Sequence, residues 1–172
     1  MLENAKKYED QLRQLFFDIA YDPFYKYEQF SAYSEVFKIP DTTFNSNHFV
    51  SVFNGKVIGY IEYQIKRPEN SVWGLEVVHF GGKASGNSYI FGKDLFLAMK
   101  DIFEKFGFRK ISFCVRVGNP VEKTYNKLIK RYNGHIVGVR KQEVRLMDGQ
   151  LYDEKWYEIF ASDYFKAMDI FA

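Results

Sequence analysis

Few side chains in this 172-residue chain carry reactive chemistry, and their spacing excludes several kinds of it. The three histidines, His48, His79 and His135, stand far apart and share no metal-ligand spacing. Cys114 is the only cysteine, so no internal disulfide can form. Inside the apolar run ISFCV it reads as a small core residue rather than a nucleophile. Gly81, Gly82 and Gly86 sit in a GGKASG stretch, but no Gly-Lys-Ser/Thr follows at the spacing of a phosphate-binding P-loop, and the stretch reads as a flexible loop. What remains is acid–base chemistry. Glu62, Glu76 and His79 lie in segments of alternating polarity, where each can accept a proton or simply belong to a solvated face. Charge is the other feature. Residues 100–145 hold twelve Lys and Arg against four acids, a balance of +8, while the last 27 residues balance at −4 and the chain at +2. The basic segment is either a solvated face or a field that draws in an anionic ligand, a phosphorylated cofactor or nucleic acid.

These residues need elements to hold them. Ala5, Tyr8, Leu12, Leu15, Phe16 and Ile19 recur at three- and four-residue spacing and predict an amphipathic helix over about 3–20. Asp22-Pro23 reads as an N-cap with proline in the first turn, opening a second helix to about Phe37, and 40–43 is a loop. Period-two alternation then takes over. Segments 48–53 and 56–65 form a hairpin through Asn54-Gly55, a pair suited to the positive φ angles of a type I′ turn. After a turn at 68–70, segment 72–80 is the third strand of an antiparallel meander. A helix over about 88–106 follows, with the stripe Leu95, Phe96, Met99, Ile102, Phe103 and Phe106 and an end at Gly107. Next come a buried strand at 110–117 and a helix from Asn119-Pro120 to Tyr132. A hairpin of 135–147 and 150–160 turns at Asp148-Gly149, and a short last helix is capped by Ser162.

The helix between 72–80 and 110–117 is a crossover, so those two strands should run parallel. The predicted fold is therefore mixed α/β (α+β), a mostly antiparallel twisted sheet with one central parallel pair flanked by helices. It forms one domain, with a helical N-terminal part at 1–45 and a core at 46–165. Parallel strands point their C-terminal ends one way, and the N-termini of the following helices gather there, which is where ligands favour such sheets.

Apolar residues make up 47% and charged residues 27% of the chain, as in an ordinary globular protein, and 18 Phe and 13 Tyr supply an aromatic core. The opening MLENAKKYEDQL has no apolar h-region, and no stretch approaches the ~20 apolar residues of a membrane span. With a lone cysteine, the expectation is a soluble, cytoplasmic protein without a membrane partner.

The element order from about 48 to 165 resembles that of the GNAT superfamily of acyl-CoA N-acyltransferases. The run KFGFRKISFCVRVGNPVEKTYNKLIKRYNG is similar to the family's strand, Asn and Tyr-bearing helix. The run GVRKQEVRLMDGQLYDEKWYEIF resembles the closing hairpin of the ribosomal-protein-acetylating branch, and the general texture is similar to phage-encoded members.

The resemblance implies transfer of an acetyl group from acetyl-CoA, as co-substrate, to a primary amine by direct attack in a ternary complex, a protein or peptide N-terminus being one such acceptor. In the family the diphosphate of the cofactor rests on backbone N–H groups at the start of the central helix. The family pattern there is a basic residue or Gln, two residues, Gly, one residue, then Gly or Ala. It falls on Asn87-Ser88-Tyr89-Ile90-Phe91-Gly92, where Gly92 matches and Asn87 and Ile90 depart. Gly92 is equally a glycine for close packing of helix on sheet. The implied cofactor-binding residues are Val78, Phe80, Asn87, Ser88, Ile90, Gly92, Lys93 and Asn119, with the amides of 77–80 polarising the thioester carbonyl. Asn119 contacts the pantetheine arm or simply caps a helix before Pro120. Tyr125, one residue before the usual position of the family's Tyr, either protonates the departing thiolate or packs in the core. The amine must lose a proton before it attacks. Glu76 is the first choice of base and His79 the second.

Two other readings stand beside this one. The chain could be a non-catalytic GNAT-fold binding or regulatory protein, to which the altered Ile90 position points. It could also bind nucleic acid through the basic segment, where Tyr and Phe interleave with Lys and Arg. The acceptor is not legible, nor is the oligomeric state, a homodimer being one option.

Overall fold

The segments of alternating polarity become strands: β1 (Leu2–Asn4), β2 (Ser46–Phe53), β3 (Lys56–Lys66), β4 (Ser71–His79), β5 (Lys110–Arg116), β6 (His135–Arg145) and β7 (Leu151–Phe160). The helical stripes become α1 (Glu9–Ile19), α2 (Ser88–Lys100), α3 (Glu122–Arg131) and α4 (Ala161–Phe171). The structure is a computed structural model that describes residues 1–20, 22–28, 37–81 and 86–171. Its seven strands form one sheet in the order β1-β2-β3-β4-β5-β7-β6. β4 and β5 run parallel, with Ser71, Val72 and Trp73 opposite Lys110, Ile111 and Ser112. The β1–β2, β2–β3, β5–β7 and β6–β7 pairs are antiparallel. This is the predicted architecture except for β1, which takes Leu2–Asn4 at the start of the segment predicted as the first helix. The backbone gathers into two units, Met1–Gln64 with Glu76–Lys100, and Ile65–Leu75 with Asp101–Ala172.

In the first unit, Asn54 and Gly55 take φ +49° and +75°, the left-handed pair that a two-residue hairpin turn requires. α1 buries Leu12, Phe16 and Ile19 in a cluster with Val50, Tyr60, Val78 and Phe80. The Phe16 ring meets Tyr60 and Phe80 edge-on at 5.5 and 5.4 Å, a geometry that aromatic quadrupoles favour. α2 lays Phe91 over Gly59, where a β-carbon would come within 2.2 Å of the ring. Only glycine allows that approach. Ser51 donates to the buried carboxylate of Asp94 at 2.6 Å.

In the second unit, β7 lies between β5 and β6, and Phe113 stacks on Tyr157 at 5.3 Å. Tyr164 of α4 stacks on Phe103 at 4.7 Å and on Tyr132 at 5.5 Å.

Local detail departs from the periodicity in four places. The first helix begins late, because Asn4 accepts from the Lys6 amide at 2.8 Å and starts a 3-10 turn at Ala5–Tyr8 ahead of α1. Asp22 does cap Pro23, accepting from the Phe24 amide at 2.9 Å, but only a 3-10 turn at Pro23–Tyr25 follows. Residues 29–36 of the predicted second helix, and 82–85 of the glycine-rich loop, lie outside the described residues. The 88–106 helix is α-helical to Lys100 and then widens into a π-helical turn at Asp101–Lys105, closed by Phe106 N–H donating to Asp101 at 2.9 Å. The last helix starts at Ala161, straight from β7, so Ser162 lies inside its first turn and does not cap it. Burial of Tyr164 and Ala167 supports eleven residues of helix there.

Candidate functional site

β2 and β3 arrange polar side chains around one phenol. His48 and Glu62 are cross-strand partners, and Tyr60 shares the face of Glu62 because strand side chains alternate. Tyr60 O–H lies 2.5 Å from Glu62 Oε2, His48 Nδ1 lies 2.6 Å from Tyr60 Oη and 3.2 Å from Glu62 Oε2, and Ser46 Oγ lies 2.8 Å from His48 Nε2. A carboxylate can only accept, which assigns the protons. The phenol donates to Glu62, His48 Nδ1–H donates to the phenol oxygen, and Ser46 Oγ pairs with His48 Nε2. Tyr60 is fully buried, while the side chains of His48 and Glu62 keep 11% and 17% exposure.

Burial pushes the Tyr60 phenol well above its ordinary value, and the charges of Glu62 and Glu76 push the same way. The phenol therefore stays protonated. Burial also raises Glu62, but the hydrogen bonds from His48 and Tyr60 outweigh it and hold that carboxyl below the usual range. Glu62 and Glu76 are both half-buried on the meander, on β3 and β4. A half-sheltered pair of carboxylates can hold a cation and accept a proton from it. Sequence reasoning singled out Glu62 and Glu76 and missed Ser46, His48 and Tyr60.

His79 stacks on Phe91 at 5.3 Å, and burial lowers its pKa. Tyr25 closes the end of β4, its hydroxyl donating to His79 O at 3.0 Å and accepting from Gly81 N–H at 3.1 Å. Val78 and Phe80 belong to the core. The Phe80 amide donates to Ile58 O at 2.9 Å, so it cannot also polarise a carbonyl. By strand alternation the amides of Val77 and His79 point to the opposite edge of β4.

Asn87, Ser88, Ile90, Gly92 and Lys93 come together at the first turn of α2, where Asn87 O accepts from Phe91 N–H at 3.0 Å. Ser88, Gly92 and Lys93 are exposed and Ile90 is half-buried. A β-carbon on Gly92 would meet nothing within 4 Å, so the reading of Gly92 as a close-packing glycine is corrected; Gly59 has that role. The Lys93 ammonium lies 4.7 Å from the centre of the Tyr89 ring. The first amides of a helix have no intrahelical acceptor, and with Lys93 beside them they suit a phosphate.

In the second unit Asn119 makes a local cap, its side chain accepting from Val121 N–H at 3.0 Å and its carbonyl from Glu122 N–H at 2.9 Å. Tyr125 is buried, edge-on to Phe113 at 5.1 Å and to Tyr157 at 6.1 Å. Burial, with the nearby charge of Glu122, pushes the Tyr157 phenol up to about 12, and its hydroxyl donates to Asn126 Oδ1 at 3.0 Å. Three cations of the basic segment pair with the acidic tail: Lys110 meets Glu158 at 2.6 Å, Lys141 meets Asp153 at 2.8 Å and Arg116 meets Glu154 at 3.6 Å. Lys123, Lys127, Lys130 and Arg131 remain exposed on α3.

A cavity of about 480 Å³ at the start of α1 is lined by Lys6, Glu9, Asp10, Arg13 and Lys38 among others. Its ions already pair with one another, Lys6 with Glu9 at 2.7 Å and Arg13 with Asp10 at 2.9 Å, so we place no chemistry there. Among the described residues no group of three or more His, Cys, Asp or Glu could hold a metal ion. No described helix is long and apolar enough to cross a membrane.

No protein-family model matches the chain, and no curated protein does. Solved structures do. A chimera of the spermidine N-acetyltransferase of Vibrio cholerae with hSSAT aligns at 18% identity and TM-score 0.71, covering 96% of this chain and 99% of that one. A variant of the same Vibrio cholerae enzyme aligns at 20% identity and TM-score 0.69, covering 95% and 96%. A GCN5-related N-acetyltransferase from Brucella melitensis aligns at 18% identity and TM-score 0.68, covering 98% and 78%. At such identities the likeness is one of backbone. The chain has the fold of these acetyltransferases.

Proposed function

We propose that the chain is an N-acyltransferase that moves the acetyl group of acetyl-CoA onto a primary amine by direct attack in a ternary complex. The fold supports this reading, and the observation that carries it is the gathering of Glu62 and His48 about Tyr60. An amine arrives at neutral pH as an ammonium and attacks only after losing a proton. The carboxylates hold the ammonium, and Glu76 takes the proton, with His79 as the second candidate. The His48–Ser46 hydrogen bonds offer the proton a path onward.

Bound acetyl-CoA supplies the acyl group as an activated thioester. Asn87, Ser88, Ile90, Gly92 and Lys93 would hold its diphosphate at the start of α2, and Asn119 would contact its pantetheine arm. The amides of Val77 and His79, on the edge of β4 opposite that of Phe80, would polarise the carbonyl. Tyr125 would return a proton to the departing thiolate; a thiol of pKa near ~8.5 needs only modest help from a phenol.

The acceptor we favour is a peptide or protein N-terminus, to which the likeness of the closing hairpin to the ribosomal-protein-acetylating branch points. A free polyamine, named in the Vibrio cholerae enzymes, is the second candidate. Thermal unfolding with and without acetyl-CoA tests the first step. At a hundred times the dissociation constant the ligand should add ~2.7 kcal/mol. Acetylation of a peptide but not of spermidine then separates the acceptors. The departures at Asn87 and Ile90 favour one alternative, a non-catalytic protein of the same fold. An unchanged melting temperature at millimolar acetyl-CoA would overturn the enzyme reading.

A further inference from the structure

The chain has two tryptophans, and they lie together. Trp73 of β4 and Trp156 of β7 lie against each other with ring centres 4.5 Å apart and planes tilted by 31°. They floor a cavity of about 290 Å³, walled by Val137, Gly138, Val139 and Arg140 of β6 and by Glu158. β6 shifts register between Ile136 and Gly138, and a bulge of this kind bends a strand and makes room beside it. All of these residues belong to the second unit, and the proposed acyl transfer uses none of them.

The charges around the cavity are uneven. The Lys66 ammonium lies 4.0 Å from the centre of the Trp73 ring, and the Arg140 guanidinium 4.5 Å from that of Trp156. Glu158, the acid of the lining, already accepts from Lys110 at 2.6 Å and from Ser112 at 3.2 Å. Arg140 also reaches Glu143 at 3.0 Å, across an exposed surface where such a pair is weak. The Trp156 indole N–H is shut off from water and has no acceptor among the described residues, a costly state for a buried donor.

We infer that this cavity binds a planar aromatic group that carries a negative charge. Lys66 and Arg140 lie over the two indoles, so an arene stacks on an indole once one of these side chains swings aside. Lys66 and Arg140 then discriminate, attracting an anion and repelling a further cation. Turning the Arg140 guanidinium off the Trp156 ring would let it meet the charge of the ligand.

Fluorotryptophan in place of tryptophan yields two fluorine resonances, both from this cavity. We would titrate the full chain with benzoate, benzyl alcohol and benzylamine at constant ionic strength. Benzoate should shift both resonances to saturation, benzyl alcohol should bind about tenfold more weakly, and benzylamine should leave them unmoved. Arg140→Gln and Lys66→Gln, which remove only the cations, should each bring benzoate toward the affinity of benzyl alcohol. Shifts by benzoate that never saturate, benzylamine binding as well as benzoate, or variants that keep the full preference would each overturn the inference. Acetyl-CoA binding is read separately by melting temperature, so either proposal can fail alone.

Discussion

His48 and Glu62 face each other across β2 and β3 with side-chain atoms 3.2 Å apart, because a register shift between Ser51 and Val52 brings them opposite. Counting pairs back from the Asn54-Gly55 turn without that shift sets His48 against Ile61, on the wrong face of the strand. One extra residue thus assembles the polar network around Tyr60.

The network should show in acid. Burial raises the Glu62 carboxyl, but the hydrogen bonds from His48 and Tyr60 prevail and keep it below its ordinary 4.5 in the folded chain. A depressed folded pKa adds stability above the unfolded value and loses it as pH falls through the folded one. Urea unfolding between about pH 6 and about pH 3 should therefore give a steeper acid loss for the natural chain than for Glu62→Gln. Equal slopes would mean that the carboxylate gains nothing from its neighbours.

Tyr60→Phe keeps the ring against Phe16 and removes the hydroxyl that serves both Glu62 and His48. Leaving these sheltered groups short of a partner should cost about 1–3 kcal/mol in denaturant unfolding. Should acetyl transfer be found, the same variant should also lower turnover.

Two glycines should respond in opposite ways. Gly59→Ala drives a methyl into the Phe91 ring, and overpacking of this kind should cost about 1–3 kcal/mol. Gly92→Ala has open space on an exposed helix face and should gain up to about 1 kcal/mol. If the diphosphate rests at that turn, Gly92→Ala should still weaken acetyl-CoA in calorimetric titration, and undiminished affinity would move the diphosphate elsewhere.

Tyr125 packs through its ring against Phe113 and Tyr157. Tyr125→Phe should thus fold normally and, if Tyr125 is the acid, lower kcat with little change in KM for acetyl-CoA. Full turnover in that variant would leave Tyr125 a packing residue.

Arg116 and Glu154 are both largely buried, with side-chain exposures of 15% and 8%. Glu154→Ala leaves the guanidinium without its counter-charge and should cost about 3 kcal/mol. Lys141→Ala, which breaks an exposed pair with Asp153, should cost less than about 1 kcal/mol. Comparable losses in the two would refute the idea that burial separates these pairs.

Much of the fold was legible because its signals are local. Period-two runs, Asn54-Gly55 at positive φ, Asp148-Gly149 and the stripe of α2 each need only a few neighbouring residues. The parallel β4–β5 pair followed from a single crossover rule. Glycine roles were less legible: Gly92 drew attention through a motif, while Gly59, the one that touches Phe91, lies in an unremarkable strand.

The sequence alone thus determined the elements, their order and the presence of acids on the meander, since propensity and alternation act over a few residues. Tertiary structure decided which polar groups meet. Ser46, His48, Tyr60 and Glu62 converge only after β2 has shifted by one position against β3, and Lys110 and Arg116 of the basic segment find their counter-charges only when β7 brings Glu158 and Glu154 beside β5. Register and strand neighbours are set by long-range packing, in which a displacement of one residue reverses every side chain.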